Sequence, residues 1–148
     1  KRIYDIKKRA DNKSMLVLLD DAGKIASYAD VPDIALDLIE VADKPTTIIY
    51  PGAKRLAPNL IAEDGTIGIR ITREEFTRSL IFRYNKPIVS TSANISGEPS
   101  PHFFGEISEE IKNAVDYIVD YRRNDHKPAA PSSIIKLGMG GEIQIIRK

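Results

Sequence analysis

Short apolar segments typical of β-strands alternate along this chain with segments of helical spacing, and this alternation constrains the fold more than any other feature. The strand-like segments are rich in valine, isoleucine and leucine, and most of them end at glycine, proline or charged residues. They are SMLVLLDD, PTTIIYPGA, GTIGIRIT, PIVST, DYIVDY, SSIIKL and EIQIIR. Strands interleaved with helices predict one α/β domain, and the length of 148 residues fits a single domain.

Four segments place apolar residues at helical intervals, namely KRIYDIKKRA, DVPDIALDLIEVA, REEFTRSLIFRYN and SEEIKNAV. In the third segment, Thr72 and Glu75 predict a capping box at the start of the helix. The spacing of Phe76, Leu80 and Tyr84 predicts that these three side chains face the core.

The composition excludes several classes of chemistry. The chain has no cysteine, which rules out disulfides, thiol nucleophiles and thiolate metal sites. Its two histidines, His102 and His126, lie in loop-like segments, and we predict no metal site made by the chain itself. The sequence also has no G-x-S-x-G elbow and no Walker or Rossmann glycine loop. No apolar run approaches the roughly 18 residues of a membrane span, so we expect a cytoplasmic protein.

The net charge is only +1, but the charges are unevenly distributed. Residues 1–13 carry six basic and two acidic side chains, whereas residues 20–44 carry seven acidic and two basic ones. The basic segment favours a local anion site over a broad nucleic-acid surface, although a solvated helix face would have the same pattern. Arg9 is suited to bind a phosphate or carboxylate with two parallel hydrogen bonds, and Lys7 and Lys13 to act as point charges.

The segment KPIVSTSANISGEPSP, at residues 86–101, turns from a strand-like start into a cluster of hydroxyl groups. In open α/β sheets, ligands bind beyond the carboxyl ends of the strands, where hydroxyls and backbone N–H groups hold sugar, phosphate or amino-acid oxygens. A serine-rich turn that serves only its own backbone is the alternative. Elsewhere, Arg70 interrupts a strand with Thr66 on the same face, which indicates either an edge-strand charge or a buried anion ligand. Arg147, which ends the last strand, is a further candidate anion ligand.

Taken together, these stretches resemble the YrdC-like family, the threonylcarbamoyl-AMP synthases. The most specific match is PIVSTSANISGEPS, which follows the family signature P-[IVL]-x-x-[TP]-S-A-N-x-S-G-x-P-[SP] almost letter for letter. Weaker matches, in the family's order, are KKRADNK, DKPTTIIY, TIGIR, PSSII and IQIIRK. The resemblance implies a single-domain, twisted, open mixed sheet flanked by helices, of the YrdC-like (DHBP-synthase-like) type with a basic concave cavity.

The chain departs from the family pattern at several positions. Ala10 and Lys44 stand where the family has proline and glycine, and Arg122-Arg123 replaces a glycine pair. The family's opening strand and its Y-P-T-E-T-x-Y-G-L loop have no counterpart in the sequence. We therefore expect residues 1–148 to be a YrdC-like domain whose N-terminal strand and loop lie upstream of Lys1.

The activity that the resemblance implies is the synthesis of threonylcarbamoyl-AMP and pyrophosphate from L-threonine, bicarbonate and ATP. This intermediate serves the N6-threonylcarbamoyl modification of adenosine 37 in transfer RNA. The implied partners are therefore the three substrates and the tRNA-modification proteins, and Mg²⁺ is expected to arrive with ATP. Such chemistry requires positioning and cations, with no protein nucleophile.

The family motifs also imply roles for individual residues. Lys7 and Arg9 are expected to be catalytic and to hold the ATP phosphates. Further ATP contacts are expected from Thr66, Ser92, Ser100 and Arg147. Threonine is expected to be bound by Arg70 through its carboxylate, and by Ser90 and Ser132. Further lining of the cavity is expected from Lys13, Thr47 and Asn94, of which Asn94 also braces its turn.

Three other functions fit the same motifs. One is an RNA-binding YrdC-like paralogue, although the net charge of +1 and the few aromatic residues predict only weak binding of tRNA or double-stranded RNA. Another is a different carbamoyl-adenylate-forming enzyme, as in hydrogenase maturation. The third is a paralogue that retains the cavity and lacks the synthase activity.

Overall fold

The computed structural model describes residues 1–10 and 15–148, which form two compact units. The described part of the first, which we call the helical unit, is residues 1–10 and 91–130. The described part of the second, the sheet unit, is residues 15–90 and 131–148. In the part of the chain so described, no helix is both long and apolar enough to cross a membrane.

The sheet unit is built on one mixed sheet of six strands in the order β4-β1-β3-β2-β5-β6. The strands are β1 Leu16–Leu19, β2 Thr46–Tyr50, β3 Ile67–Ile71, β4 Ile88–Ser90, β5 Ser133–Leu137 and β6 Ile143–Arg147. β1 pairs in parallel with β3 and β2 with β5, and the other three pairings are antiparallel. The predicted α/β class and the mixed sheet are therefore confirmed.

The core of the sheet unit lies on one face of this sheet, which we call the core face. The register pairs Val17 with Ile69 and Ile69 with Ile48, and residues directly opposite in neighbouring strands share a face. The strand residues of this face that are almost completely buried are Val17, Leu19, Ile48, Tyr50, Ile67, Ile69 and Leu137. The β-branched and leucine side chains that made these segments look like strands are therefore the ones that stabilise the unit.

Two helices of the sheet unit, α2 Ile34–Val41 and α3 Glu75–Tyr84, follow the predicted helical segments. Each has a fully buried residue, Ala35 in α2 and Ile81 in α3. Arg73, just before α3, donates hydrogen bonds of 2.7 Å to the carbonyl oxygens of Ile39 and Ala42. The last carbonyl groups of a helix have no hydrogen-bond donor within the helix. The guanidinium of Arg73 supplies donors for two of them at the C-terminal end of α2.

The details predicted for α3 are wrong. The N-cap is Glu74, whose carboxylate accepts from the N–H groups of Phe76 and Thr77, and Thr72 instead accepts from the N–H of Glu74. Phe76, Leu80 and Tyr84 are 36%, 44% and 55% exposed, whereas Ile81 is 1% exposed. Because a helix turns by about 100° per residue, Leu80 points about 100° away from the buried Ile81. The side chains of Phe76, Leu80 and Tyr84 therefore face away from the core.

The helical unit contains α1 Arg2–Lys7 and α4 Glu109–Ala114. Ser108 caps α4 by accepting from the N–H of Ile111. The strand predicted for DYIVDY is wrong, because residues 116–121 form no strand. Arg123 instead donates to the carbonyl oxygens of Ile118 and Val119 at 2.7 and 3.1 Å, so these backbone groups are satisfied by a side chain and need no neighbouring strand.

Candidate functional site

The face of the sheet opposite the core face carries every charged side chain of the six strands, and we call it the polar face. Arg70 of β3 pairs with Thr47 of β2, Thr47 pairs with Ile134 of β5, and Ile134 pairs with Arg147 of β6. Lys136 follows Ile134 by two positions and therefore points to the same face. The three charged side chains of the strands are thus Arg70, Lys136 and Arg147, and all of them are cations.

Arg70 and Arg147 form the electrostatic centre of the polar face. Burial, and in second place the positive charge of Arg147, lower the pKa of the Arg70 guanidinium. Within residues 1–10 and 15–148, neither arginine makes an ion pair with a carboxylate. Two cations that raise each other's energy without a counter-ion make a favourable place for an anionic ligand.

Two buried hydroxyl groups lie beside this arginine pair. The Thr47 Oγ1 and Ser132 Oγ atoms are 2.9 Å apart and share a hydrogen bond, and the two residues are 2% and 4% exposed. Arg147 Nε donates to the Ser132 carbonyl oxygen at 2.8 Å, which fixes the position of the guanidinium. The structure thus brings together Thr47, Arg70, Ser132 and Arg147, all of which the sequence had indicated.

Thr66 belongs to a second polar group in the sheet unit. Its hydroxyl donates to Asp64 Oδ1 at 2.6 Å, and Lys136 Nζ donates to Asp64 Oδ2 at 2.5 Å. The hydrogen bond from Lys136, followed by the one from Thr66, lowers the pKa of Asp64 to about 2. Because the hydroxyl proton of Thr66 is committed to Asp64, Thr66 can offer a ligand only the acceptor lone pairs of its oxygen.

Sequence reasoning missed Asp64 and Lys136. The signal for Lys136 was present, because strand alternation places it on the same face as Ser132, four positions earlier. Asp64 lies before β3 and outside any strand, so strand alternation does not predict where its side chain points. Only the contact with Lys136, 72 positions away along the chain, connects the two residues.

Ser90 ends β4, where it pairs with Leu16 of β1. Leu16 pairs in turn with Gly68, two positions before Arg70, so Ser90 also lies on the polar face. It is two strands away from Arg70, because β1 lies between β4 and β3. The three residues predicted to bind threonine, Arg70, Ser90 and Ser132, therefore share one face of one sheet.

Lys7 is a buried residue of the helical unit. The residue is 3% exposed, and its Nζ donates to the carbonyl oxygens of Ser92 and Asn94 at 2.5 and 2.6 Å and to Asn94 Oδ1 at 3.3 Å. Burial, and in second place the charge of Arg9, lower the pKa of the Lys7 ammonium. Three acceptors match the three N–H donors of the ammonium group, so Lys7 braces the serine-asparagine turn.

The other predicted residues of the helical unit surround this turn. Asn94 Nδ2 donates to the Glu98 carbonyl oxygen at 2.7 Å, which confirms that Asn94 braces the turn. Ser92 and Ser100 are exposed, and Arg9 is partly exposed. Arg9 follows Lys8, whose left-handed backbone with φ of 50° ends α1.

Lys13 lies outside the residues that the structure describes. The remaining predicted residues are divided between the helical unit, with Lys7, Arg9, Ser92, Asn94 and Ser100, and the sheet unit, with Thr47, Thr66, Arg70, Ser90, Ser132 and Arg147. The roles predicted for them toward ATP and threonine stay predictions. Among the described residues, no group of three or more histidine, aspartate or glutamate side chains is arranged to hold a metal ion.

Comparison with known proteins identifies the family of this chain. The family model Sua5_yciO_yrdC, described as "Telomere recombination", matches residues 1–148. A protein of Methanocaldococcus jannaschii, provisionally named a threonylcarbamoyl-AMP synthase, is 38% identical over 138 residues, which are 93% of this chain and 63% of that protein. The threonylcarbamoyl-AMP synthase of Pseudoalteromonas translucida is 27% identical over 146 residues, 96% of this chain and 76% of that protein.

The fold is similar to that of Sua5 from P. abyssi, solved in complex with L-threonine. The TM-score is 0.79 at 23% sequence identity, and the similarity covers 92% of this chain and 40% of the Sua5 chain. The chain thus spans less than two-thirds of the length of both the M. jannaschii relative and Sua5.

Proposed function

Because the chain belongs to the Sua5/YciO/YrdC family, we propose that it provides the active site of an L-threonylcarbamoyladenylate synthase. The reaction joins L-threonine, bicarbonate and ATP and yields threonylcarbamoyl-AMP, pyrophosphate and water. The names of the M. jannaschii and P. translucida relatives support this activity, and the threonine complex of Sua5 supports threonine as a ligand. The product would serve threonylcarbamoylation of adenosine 37 in tRNA by partner proteins in the cytoplasm.

The observation that carries the proposal is the arginine pair on the polar face. Arg70 and Arg147 lie in one row of the sheet, lack carboxylate partners within the described residues, and flank the buried hydroxyls of Thr47 and Ser132. The planar guanidinium of Arg70 matches the carboxylate of threonine, which it can bind through two parallel N–H groups. The hydroxyl groups add hydrogen-bond donors and acceptors for the polar atoms of an amino acid, and they add no charge.

The chemistry proposed here needs cations and alignment. The threonine amino nitrogen attacks the bicarbonate carbon, and loss of water leaves a carbamate. A carbamate oxygen then attacks the α-phosphorus of ATP, and the bond between this phosphorus and the pyrophosphate oxygen breaks. Negative charge accumulates on the transferred phosphoryl group and on the leaving pyrophosphate, where fixed cations stabilise it.

Arg147 is assigned to the nucleotide phosphates, because it is the second cation of the row and its Nε is held by the Ser132 carbonyl oxygen. For Lys7, Arg9, Ser92 and Ser100, the assignment to ATP rests on the sequence motifs alone. We assign Lys7 an indirect role in ATP binding, since its ammonium group holds the turn that contains Ser92. Mg²⁺ enters as part of the substrate, MgATP.

The test is an assay of the full-length protein with MgATP, L-threonine and bicarbonate. Threonylcarbamoyl-AMP is expected, with pyrophosphate release that requires both bicarbonate and threonine. Arg70→Ala should raise the KM for threonine on the order of 10- to 100-fold, since a hydrogen bond to a charged group contributes about 1.5–3 kcal/mol. The KM for ATP should change much less.

Arg78→Ala is the matched control, because Arg78 is an exposed arginine of α3 in the same unit. It should leave both KM values within about twofold of the wild type, as expected for a surface substitution. Threonine kinetics that are the same in Arg70→Ala and the wild type would remove the assignment of Arg70. Pyrophosphate release that does not depend on threonine would contradict the proposed synthase activity.

A further inference from the structure

One cavity in the sheet unit lies against the core face, on the side of the sheet opposite Arg70. Its volume is about 400 Å³, and we call it the rear cavity. Val17 of β1 and Val89 of β4 form part of its lining and pair with each other across the two strands. Because Val17 alternates with Leu16 and Leu18, it faces away from the polar face, and the rear cavity is separate from the site proposed above.

The rear cavity combines an apolar lining with two aromatic rings. Leu56, Leu60 and Pro87 contribute apolar surface, and Tyr28 and Tyr84 contribute rings that each carry a hydroxyl group. The volume is within the range of about 300–1,000 Å³ that pockets for small organic ligands have. Such a lining suits a flat, ring-containing body of one or two rings.

Two cationic side chains, Arg55 and Lys86, complete the lining, and no carboxylate lines this cavity. Within residues 1–10 and 15–148, neither of them makes an ion pair. The neighbouring Lys54, in contrast, pairs with Asp30 at 3.5 Å. An excess of positive charge beside an apolar cavity favours a ligand with one anionic group.

A smaller cavity of about 240 Å³ shares Tyr28 and Lys86 with the rear cavity. It contains Asp20, but Lys24 Nζ lies 3.0 Å from both oxygens of that carboxylate. The charge of Asp20 is therefore compensated by Lys24. Lys86 Nζ lies 5.9 Å from the centroid of the Tyr84 ring, and within the described residues neither Lys86 nor Arg55 has a carboxylate partner.

The backbone conformation of Arg55 provides a way to test its side chain. Its φ is 56°, in the left-handed region that an arginine adopts only at a cost in free energy. Glycine would adopt this conformation without strain, and Gly52 and Gly65 do so in the same region of the chain. Replacing Arg55 by glycine therefore removes the guanidinium without adding backbone strain.

We propose that the rear cavity binds a small organic anion with a ring-containing apolar body, as in an aromatic carboxylate. The apolar body packs on Val89, Leu56 and Pro87, which are partly exposed, and the carboxylate is held by Arg55 and Lys86. This site does not depend on the synthase reaction. A ligand bound here contacts the sheet from the face opposite the one that carries Arg70.

The test uses the full-length protein and two probes that differ only in charge, indole-3-acetate and its neutral amide, indole-3-acetamide. Binding is measured by saturation-transfer NMR and by the methyl shifts of Val17 and Val89. The acid should bind at least fivefold more tightly than the amide. Its binding should persist in saturating MgATP and L-threonine, because the two sites are on opposite faces.

Three variants complete the test. Arg55→Gly should weaken binding of indole-3-acetate at least fivefold while raising or preserving the melting temperature, because glycine relieves the backbone strain. Lys54→Ala removes the same charge at the adjacent position, outside the cavity, and should change binding by less than about twofold. Ala57→Phe, at an exposed position of the lining, should block the cavity and abolish binding without loss of folding.

Equal binding of the acid and the amide would overturn the proposal. So would equal weakening by Arg55→Gly and Lys54→Ala, because binding would then follow the net charge of the surface. Methyl shifts at Leu18 in place of Val17 would also reject the rear cavity, since they would place the probe on the polar face. None of these outcomes bears on synthase activity, which is measured without the probes.

Discussion

The two faces of the same sheet differ in what their side chains do. On the core face, Val17, Ile48 and Ile69 are 1–2% exposed and form a continuous apolar surface. On the polar face, the same strands present Arg70, Thr47 and Arg147, with two cations that lack ion-pair partners within the described residues. Consecutive residues of one strand therefore alternate between the apolar core and the face that carries the proposed site. Under the proposed function, a rigid core face holds the binding groups in position on the other side.

The largest contrast is expected between the neighbouring residues Ile69 and Arg70. Ile69→Ala should lower the free energy of unfolding by about 2–5 kcal/mol, because it leaves a cavity in a packed core. Arg70→Ala should change it by less than about 1 kcal/mol, since it removes a half-buried cation that Arg147 repels. Urea denaturation of both variants checks this. A loss of 2 kcal/mol or more in Arg70→Ala would show that Arg70 itself stabilises the fold.

The next prediction compares Thr47 and Thr46, which point to opposite faces. Thr47→Val should lower the free energy of unfolding by about 1–3 kcal/mol, because it leaves the buried Ser132 hydroxyl without its partner at 2.9 Å. Thr46→Val is the control, because the Thr46 hydroxyl bonds only to the nearby Lys44 carbonyl oxygen at an exposed position. Its effect should stay within about 0.5 kcal/mol. Equal costs for both variants in urea denaturation would contradict the Thr47–Ser132 contact.

Anions should stabilise the sheet unit through the arginine pair. Pyrophosphate at ten times its dissociation constant should raise the free energy of unfolding by about 1.4 kcal/mol, because only the folded protein holds both cations together. Thermal unfolding at increasing pyrophosphate concentration measures the effect. Arg147→Gln should remove most of it, and Arg78→Gln, at an exposed position of α3, should leave it intact. Stabilisation that survives Arg147→Gln would place the anion elsewhere.

The smallest expected effect concerns Asp64 and the pH. Its folded-state pKa is lowered from its ordinary 3.8 to about 2, so its contribution to stability is present above pH 4 and is lost as the pH falls toward 2. The contribution should stay below about 1 kcal/mol, since the Asp64 side chain is half exposed and solvent screens the pair with Lys136. Lys136→Met should raise the pKa of Asp64 toward its ordinary value, as measured by carboxyl NMR titration. An unchanged pKa in this variant would contradict the ion pair.

Much of the fold followed from local patterns. Six of the seven predicted strands and all four predicted helices are present, because their apolar residues recur at the spacing of the element they form. The seventh strand, DYIVDY, had the composition of a strand, but the guanidinium of Arg123 binds its carbonyl oxygens. A strand depends on a neighbour, and a single segment of sequence does not show whether that neighbour is present.

The candidate site was predictable to a similar extent. Strand alternation placed Thr66 and Arg70 on one face, and the motifs indicated Thr47, Ser132 and Arg147. The sequence could not show that Lys7 is buried with three oxygen acceptors, because Ser92 and Asn94 lie more than 80 positions further along the chain. The ion pair of Asp64 with Lys136 was hidden for the same reason.

The sequence by itself determined the period of each element, and therefore the division of the sheet into an apolar and a charged face. Period is a local property, since side chains alternate along a regular strand. Arg147 is the exception, because its place on the polar face depends on the register shift between β5 and β6. Tertiary structure alone decided the strand order β4-β1-β3-β2-β5-β6, and with it the row that aligns Arg70, Thr47 and Arg147. Strand order depends on hydrogen bonds between segments that are distant along the chain, and the periodicity of each segment does not encode its partner.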